Sequence, residues 1–356
     1  MAQVTLRDVA EAAGVHISTA SRALNPETRS IVNEETARKV SEAAKKLGYT
    51  PHPFARGLRT NRTNTIGMVV PDLMNPLFPP IFRGAEAVLA EAGYSVLVAN
   101  GDNNADTERA VTNTLLERRV DGLILATARR SGTMLAEFLK ADIPIVLVNR
   151  LRSQAPAGDD WPDTANPANA SGVTTDDHDG IGQVVKHLAS LGHTRIAHIA
   201  GPSTLLTGTK RREAFEAWVR MEGLEFDPRL VVEADQFQVD PGVEACQQLL
   251  DSGVEFTAIV AANDLLAIGC LDVLRRAGID VPGDVSVTGY NDMLFMDRIN
   301  PPLTTVALPN FEMGSMAARM LLDQLGRSDS KDAKPIRAVS LSPTLVVRES
   351  TAPPKA

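Results

Sequence analysis

The chain has 356 residues, 44% of them hydrophobic and 22% charged, which excludes a lone small module and wholesale disorder. Its two cysteines, Cys246 and Cys270, exclude a disulfide framework, and no CxxC motif is available for zinc. Neither a secretory leader nor a run of roughly 18 apolar residues occurs, so we expect a cytoplasmic protein that does not enter a membrane.

The net charge of −8 is unevenly distributed along the chain. Residues 1–62 contain ten Lys/Arg and six Asp/Glu, a net charge of +4, so the remainder carries −12. A basic head on an acidic body favours a polyanionic partner for the head.

The head has the spacing of two short helices joined by a tight turn, followed by a longer helix. Thr5 with Asp8 can cap the first helix, Gly14 can end it in the left-handed conformation, and Asn33 can cap the third. The second and third helices are predicted at residues 16–24 and 34–47. Two short helices across a glycine turn indicate a helix-turn-helix.

The head resembles the DNA-binding domain of the LacI/GalR family of bacterial repressors. The resemblance lies in VTLRDVAEAAGVHISTASRALN, against a family pattern of VTLxDVAxxAGVSxxTVSRxLN. It implies that the second helix enters the major groove of operator DNA. The implied base contacts are Ile17, Ser18 and Arg22, and the implied phosphate contacts are Thr5, Ser21, Asn25 and Asn33. His16 replaces the family's capping Ser; it either caps the helix less well or contacts phosphate.

Residues 51–62 join the head to the body. The resemblance implies a hinge helix that orders on operator DNA, in which Leu58 is a minor-groove wedge, Ala55 lies one turn earlier and Arg56 faces phosphate. A flexible linker is the alternative, because Gly57 weakens a helix by about 1 kcal/mol.

The body alternates apolar runs with amphipathic helices, which predicts parallel sheets covered on both faces. Strands are predicted at 66–70, 94–100, 121–127 and 143–149, and in a second series at 195–201, 230–234, 258–263 and 285–290. Helices are predicted at 78–92, 105–118 and 131–140. VDGLIL, LGHTRIAHIAGP, AANDLLAIG, DVSVTGYND and PPLTTV extend the family resemblance over nearly the whole chain.

The predicted fold class is therefore α/β. A helix-turn-helix head (1–50) and the hinge (51–62) precede a two-lobed, periplasmic-binding-protein-like body (63–349) and a short tail (350–356). We expect the first lobe to comprise 63–162 and 292–322, and the second 163–291 and 323–349. Residues 151–170, which include Trp161, read as a variable surface loop; a lid over the cleft or a subunit contact is the alternative.

Ligands of such sheets bind at the carboxyl ends of the strands. The polar and aromatic residues expected to bind a small-molecule effector there are Phe78, Asn149, Arg150, Thr207, Arg211, Asn263 and Asn291. Arg211 is the strongest candidate because its guanidinium can bind paired oxygens. Asn291 stands where many family members carry Asp, so a carboxylated effector and a neutral sugar both remain open.

Catalytic motifs do not support an enzyme. GPSTLLTGTK has six residues between its glycines where a phosphate loop has four, and no HExxH or GxSxG occurs. No cofactor or metal ion is expected. The main rival interpretation, a solute-binding protein of a transporter, requires a leader and leaves residues 1–62 without a use.

The sequence thus predicts a homodimeric, DNA-binding transcriptional regulator, expected to be a repressor of sugar or organic-acid catabolism. Its operator is expected to be a pseudo-palindrome, matching the two-fold symmetry of the dimer. The tail TAPPKA is too short for a tetramerising heptad helix, and helix 78–92 is expected to lie in the dimer interface. Whether the effector induces or co-represses remains open.

Overall fold

A computed structural model describes residues 4–25, 28–49, 62–126, 138, 143–149, 170–326 and 337–355. The chain divides into two compact units between Asn64 and Thr65, which we call the head and the body. Each unit has a hydrophobic core of its own.

The head contains three α-helices with the capping residues that the sequence predicts. The helices are α1 (Leu6–Ala12), α2 (Ile17–Leu24) and α3 (Glu34–Leu47). Gly14 and Gly48 have φ angles of +64° and +66°, which a side chain would disfavour, and Gly48 is the C-cap of α3. Val9, Ala20 and Val40, one from each helix, are among the residues of the head core.

The body contains a parallel sheet in the order β11-β5-β4-β3-β1-β2, as far as the structure describes it. Its strands are β1 (Thr65–Val70), β2 (Ser95–Asn100), β3 (Gly122–Leu125), β4 (Ile145–Val148), β5 (Ser171–Thr175) and β11 (Ala338–Leu341). The helices of this first lobe are α4 (Phe78–Glu91), α5 (Ala105–Glu117) and α10 (Asn310–Gly326). Helices α4 and α10 pack backbone to backbone at Gly84 and Gly314. A Cβ atom at either glycine would clash with the backbone of the facing helix.

A second parallel sheet has the order β7-β6-β8-β9. Its strands are β6 (Ile196–Ala200), β7 (Val231–Glu233), β8 (Ala258–Ala261) and β9 (Ser286–Thr288). The helices of this second lobe are α6 (Asp177–Ser190), α7 (Leu206–Met221), α8 (Val239–Asp251) and α9 (Asp264–Arg276). Between the sheets, β10 (Thr305–Ala307) and β12 (Thr344–Val346) form an antiparallel pair.

The pairing of β5 and β11 corrects the expected lobe boundaries. Residues 163–175 and 338–341 were expected in the second lobe, but Val173 pairs with Val148 of β4, and β11 pairs with β5. Both strands therefore belong to the first lobe. SGVTT carries a weaker apolar signal than the other strands and follows a long polar segment, so its pairing partner is set by tertiary contacts. The helix expected at 131–140 lies outside the described residues, apart from Phe138, which is buried.

Among the described residues, no helix combines the length and the apolar character that a bilayer crossing demands.

Candidate nucleic-acid interface and effector cleft

The second head helix presents the three residues expected to contact bases on its exposed side. Ile17, Ser18 and Arg22 are exposed, whereas Ala20 and Ala23 of the same helix are buried in the core. Within the described residues, no hydrogen bond or ion pair engages the Arg22 guanidinium. The helix thus offers a free, bidentate cationic donor beside a small hydroxyl and an apolar side chain.

His16 caps α2, which is one of the two roles that the sequence left open for it. The backbone N–H of Ser18 donates to Nδ1 of His16 at 3.3 Å, and Oγ of Ser18 lies 2.8 Å from the same nitrogen. The imidazole therefore replaces the capping hydroxyl that the family pattern has at this position.

The residues expected to contact phosphate differ in their accessibility. Thr5 and Asp8 form a capping box: the N–H and hydroxyl of Thr5 donate to Asp8 Oδ2 at 2.7 and 2.8 Å. These hydrogen bonds lower the pKa of Asp8 below its ordinary value. Asn33 caps α3 with its Oδ1. Ser21 is half-buried and Asn25 is buried at the end of α2, where burial favours a structural role over phosphate contact.

Four of the predicted site residues lie outside the described residues. They are Ala55, Arg56 and Leu58 of the hinge and Arg150 of the effector site.

In the body, a hydrogen bond joins the segment that follows β1 in the first lobe to the segment that follows β7 in the second. Asp72 follows β1 and Gln238 follows β7, and Nε2 of Gln238 donates to Oδ2 of Asp72 at 3.4 Å. The expected effector residues follow the strands of the same two sheets, so the structure supports a cleft between the lobes.

Arg211, the strongest candidate, is the centre of a buried polar cluster. Its Nε donates to Oδ1 of Asp177 at 2.9 Å, and its Nη1 donates to the carbonyl oxygen of Ala262 at 2.7 Å. The side chains of Arg211 and Asp177 are 3% and 4% exposed. Because the Asp177 carboxylate neutralises the guanidinium, the pair carries no net positive charge that would attract an anionic ligand.

Two aromatic rings complete the surroundings of Arg211. Its guanidinium carbon lies 3.9 Å from the ring centre of Tyr290 and 5.9 Å from that of Phe237. Burial, with the charge of Asp177, raises the pKa of the Tyr290 hydroxyl well above its ordinary value. The ring of Phe237 also covers Gly201, where a Cβ atom would meet the ring at 2.2 Å.

Sequence reasoning missed Asp177, Phe237 and Tyr290 as members of this cluster. Asp177 and Tyr290 follow β5 and β9 closely, so the same strand-end argument that selected Asn149 could have found them. Phe237 lies four residues beyond β7, and only the tertiary structure brings it to Arg211.

Three predicted effector residues have buried side-chain oxygens that have no hydrogen-bond partner among the described residues. They are Oδ1 of Asn149, Oγ1 of Thr207 and Oδ1 of Asn291, and each residue is at most 5% exposed. Asn149 and Asn291 also have positive φ angles, of 67° and 113°. Buried polar atoms in native proteins are nearly always paired, so these oxygens point to a missing partner.

The two remaining predicted residues have structural contacts. Asn263 caps α9, since its Oδ1 accepts the backbone N–H of Leu266 at 2.9 Å, and its Nδ2 donates to the carbonyl oxygen of Phe237 at 3.4 Å. Phe78 begins α4 and is fully buried in the main body core. A stacking role for Phe78 on a ligand therefore requires that part of this ring becomes accessible.

A groove of about 520 Å³ also occurs in the second lobe, away from these residues. It is lined mainly by α9 and the two loops beside it, and includes Ile268, Leu271, Val281, Ile299 and Pro301. None of the predicted effector residues lines it.

Comparison with known proteins identifies both units. Residues 5–52 match the family model described as bacterial regulatory proteins, lacI family, and residues 185–351 match the periplasmic binding protein-like domain. The chain is 34% identical over 355 residues to the HTH-type transcriptional regulator DegA of Bacillus subtilis (strain 168), covering 99% of each protein.

Solved structures agree with these matches. A transcriptional regulator CelR–cellobiose complex is 32% identical with a TM-score of 0.71, covering 98% of this chain and 100% of that one. The lac repressor dimer bound to operator and the anti-inducer ONPF is 26% identical with a TM-score of 0.83, covering 99% and 100%.

These findings confirm the predicted α/β fold class with its helix-turn-helix head and two-lobed body. They also confirm the predicted class of function, because the relatives are transcriptional regulators rather than enzymes. The chain belongs to the LacI family of bacterial DNA-binding transcriptional regulators.

Proposed function

We propose that this regulator is a repressor whose affinity for its operator is set by a small molecule bound between the two lobes of the body. The observation that carries the proposal is the set of three buried oxygens, on Asn149, Thr207 and Asn291, that find no partner in the part of the chain that the structure describes. The first belongs to one lobe and the other two to the opposite lobe, so one ligand that satisfies all three would bias the angle between the lobes.

The effector is a neutral, hydroxyl-rich molecule of the sugar class. Ligand hydroxyls can donate to the amide oxygens of Asn149 and Asn291, whereas a carboxylate only accepts; the hydroxyl of Thr207 can pair with either kind of ligand. The charge of Arg211 is already balanced by Asp177, which removes the main attraction for an anion. The complex of the similar regulator CelR with cellobiose supports this assignment. A carboxylated effector remains the rival outcome of the test below.

Sequence is read by α2 of the head. Arg22 can donate two hydrogen bonds to a guanine, Ser18 is a permissive reader, and Ile17 can contact a thymine methyl group. Thr5, Ser21 and Asn33 are candidates for phosphate contacts that set the register, whereas the burial of Asn25 weakens its candidacy. Leu58 of the hinge is proposed as the wedge that kinks the duplex.

The active species is a homodimer on a pseudo-palindromic operator, as in the lac repressor dimer bound to operator. The two heads of a dimer are related by a two-fold axis, and so are the two half-sites of a palindrome, so that each head can read one half-site. We also propose that it acts in the cytoplasm, where chromosomal DNA is accessible to it.

Effector and operator are coupled reciprocally. An effector that weakens operator binding tenfold must itself bind tenfold more weakly to the operator complex, which corresponds to about 1.4 kcal/mol of coupling.

The test is a thermal-shift screen of the full chain with cellobiose and D-ribose against D-gluconate and benzoate. A ligand at about 100 times its dissociation constant adds about 2.7 kcal/mol to the stability of the body. We expect stabilisation by neutral sugars, and loss of that stabilisation in Asn291→Leu. Stabilisation by the acids alone would contradict the proposed effector class.

The second arm measures operator binding with the ligand that stabilises the protein. DNA selected from a random pool serves as operator, and a scrambled duplex serves as control. We expect the ligand to weaken or strengthen binding to the selected DNA at least about fivefold, the lower end of typical allosteric coupling. An operator affinity that does not respond to a ligand bound in the cleft would refute effector control.

A further inference from the structure

The segment that carries Asn291 is strained. Asn291, Asp292 and Phe295 have φ angles of +113°, +49° and +76°, although none of them is glycine. A non-glycine residue held in such a conformation costs about 1–3 kcal/mol and persists only where the surrounding structure fixes it. Three such residues within five positions therefore need a strong anchor close by.

The anchor is the carboxylate of Asp264, the first residue of α9. Its Oδ2 accepts the backbone N–H of Met293 at 2.7 Å, and its Oδ1 accepts the hydroxyl of Thr305 at 2.5 Å. Its own backbone N–H donates to the carbonyl oxygen of Tyr290 at 3.0 Å. Asp264 is thus bonded on both sides of Asn291, to the residue before it and to the second residue after it.

These contacts also span the chain segment that leads from β9 through β10 to the first lobe. Met293 lies on the segment that leaves β9, and Thr305 lies on β10, which returns toward the first lobe. The start of this segment and β10 are themselves joined, since the N–H of Asn291 donates to the carbonyl oxygen of Val306 at 2.8 Å. Gly289 allows the carboxylate this close approach, because a Cβ atom there would meet Oδ1 of Asp264 at 2.3 Å.

Asp264 is completely buried, and burial raises the pKa of its carboxyl to about 7. No cation among the described residues pairs with this carboxylate. A buried carboxylate without such a partner is costly, so a packing role alone would be better served by an apolar residue. The position at the N-terminus of α9 offsets part of that cost, because the helix dipole favours negative charge there.

We propose that Asp264 is a positioning residue of the effector site, which holds Asn291 in its strained conformation and fixes it to the chain segment that leads from β9 to the first lobe. The proposal rests on the proposed function only in calling this an effector site; the anchoring itself is testable without a ligand. Asp264 does not bind the effector. It acts through Asn291.

The experiment is hydrogen exchange of the full chain without ligand, followed over residues 289–296 and, for comparison, over β8. In Asp264→Ala, Met293 loses its acceptor, so we expect protection in 289–296 to fall at least about 30-fold, the equivalent of a lost hydrogen bond to a charged group. In Asp264→Asn, Oδ1 can accept from Met293 and Nδ2 can donate to Thr305, so the loss is at most about fivefold.

Cys270→Ala is the matched control. Cys270 is also fully buried and also lies on α9, but it has no contact with the 289–296 segment among the described hydrogen bonds. It should lower protection in β8 and in 289–296 alike. Local loss in Asp264→Ala that Asp264→Asn rescues supports the proposal. Unchanged exchange in Asp264→Ala, equal losses in both Asp264 variants, or the same local loss in Cys270→Ala would overturn it.

Discussion

The head and the body expose their functional residues in opposite ways. In the head, Ile17, Ser18 and Arg22 project from α2 into solvent, and the residues that shape the helix cap it locally. In the body, Asn149 and Asn291 are buried at strand ends. The difference follows from the partners: base edges of a duplex can be reached only by protruding side chains, whereas a small molecule can be enclosed and its polar groups satisfied one by one.

Charge pairs show the same contrast. The head pairs Arg38 with Glu42 across one helical turn, with both side chains 72% exposed, whereas the body buries Arg211 against Asp177 almost completely. An exposed pair is screened and contributes little, while breaking a buried pair leaves an uncompensated charge. The largest predicted effect comes from this contrast.

Asp177→Asn should lower the free energy of unfolding of the body by about 3–5 kcal/mol, because it leaves the Arg211 charge buried without a counter-ion. Guanidinium denaturation measures the change. Glu42→Gln in the head, the matched exposed control, should change stability by less than about 0.5 kcal/mol. If Asp177→Asn proves as mild as Glu42→Gln, the buried pair does not stabilise the cleft as we infer.

The second largest effect is a pH dependence of the free energy of unfolding that arises from His198 in the body core. His198 is buried in β6 and stacked on Phe215 with ring centres 4.6 Å apart, and its Nδ1 lies 2.7 Å from the carbonyl oxygen of Val260. Burial, reinforced by the charges of Arg212 and Arg211, lowers the pKa of His198 to about 4.

Between pH 6.5 and pH 4 the unfolded chain therefore takes up a proton at His198 that the folded chain does not. The free energy of unfolding should fall by about 3 kcal/mol from this residue alone as the pH drops through that range. Urea denaturation at several pH values measures the slope. His198→Leu should flatten it, and an unchanged slope in that variant would mean that the imidazole is protonated in the folded state.

Arg22→Ala should cost about 1–3 kcal/mol of operator affinity while leaving binding to random DNA nearly unchanged, because Arg22 is proposed to read a base and not the backbone. Quantitative gel shifts on selected and random duplexes measure both affinities. Arg38→Ala removes the same charge from the same unit and should not alter the ratio between them. Equal losses on both duplexes for Arg22→Ala would show that it binds phosphate only.

The smallest effect tests the cap of the recognition helix. His16→Ala should destabilise the head by about 0.5–2 kcal/mol, since the backbone N–H of Ser18 loses its acceptor, and His16→Ser should restore most of that loss. The melting of the head followed by circular dichroism separates the variants. If His16→Ala and His16→Ser melt at the same temperature, the imidazole stabilises the helix by something other than capping.

Much of the head could be predicted from the sequence because its determinants are local. The capping box of Thr5 with Asp8 spans three residues, and Gly48 ends α3 where the left-handed conformation requires it. Even so, the sequence left His16 open, and the burial of Asn25 emerged only from the packing of the three helices.

In the body, the apolar runs by themselves determined most strands and the parallel α/β class. Asn149 and Asn291, which the strand ends predict as effector residues, are buried there. Only the tertiary structure decided which lobe β5 and β11 join, that Asp177 neutralises Arg211 from 34 residues away, and that Asp264 anchors Met293 from 29 residues away. The physical reason is the separation of the interacting residues along the sequence. A periodic pattern fixes what an element buries, but the partners of a buried polar group are chosen when distant segments pack, and no local spacing encodes them.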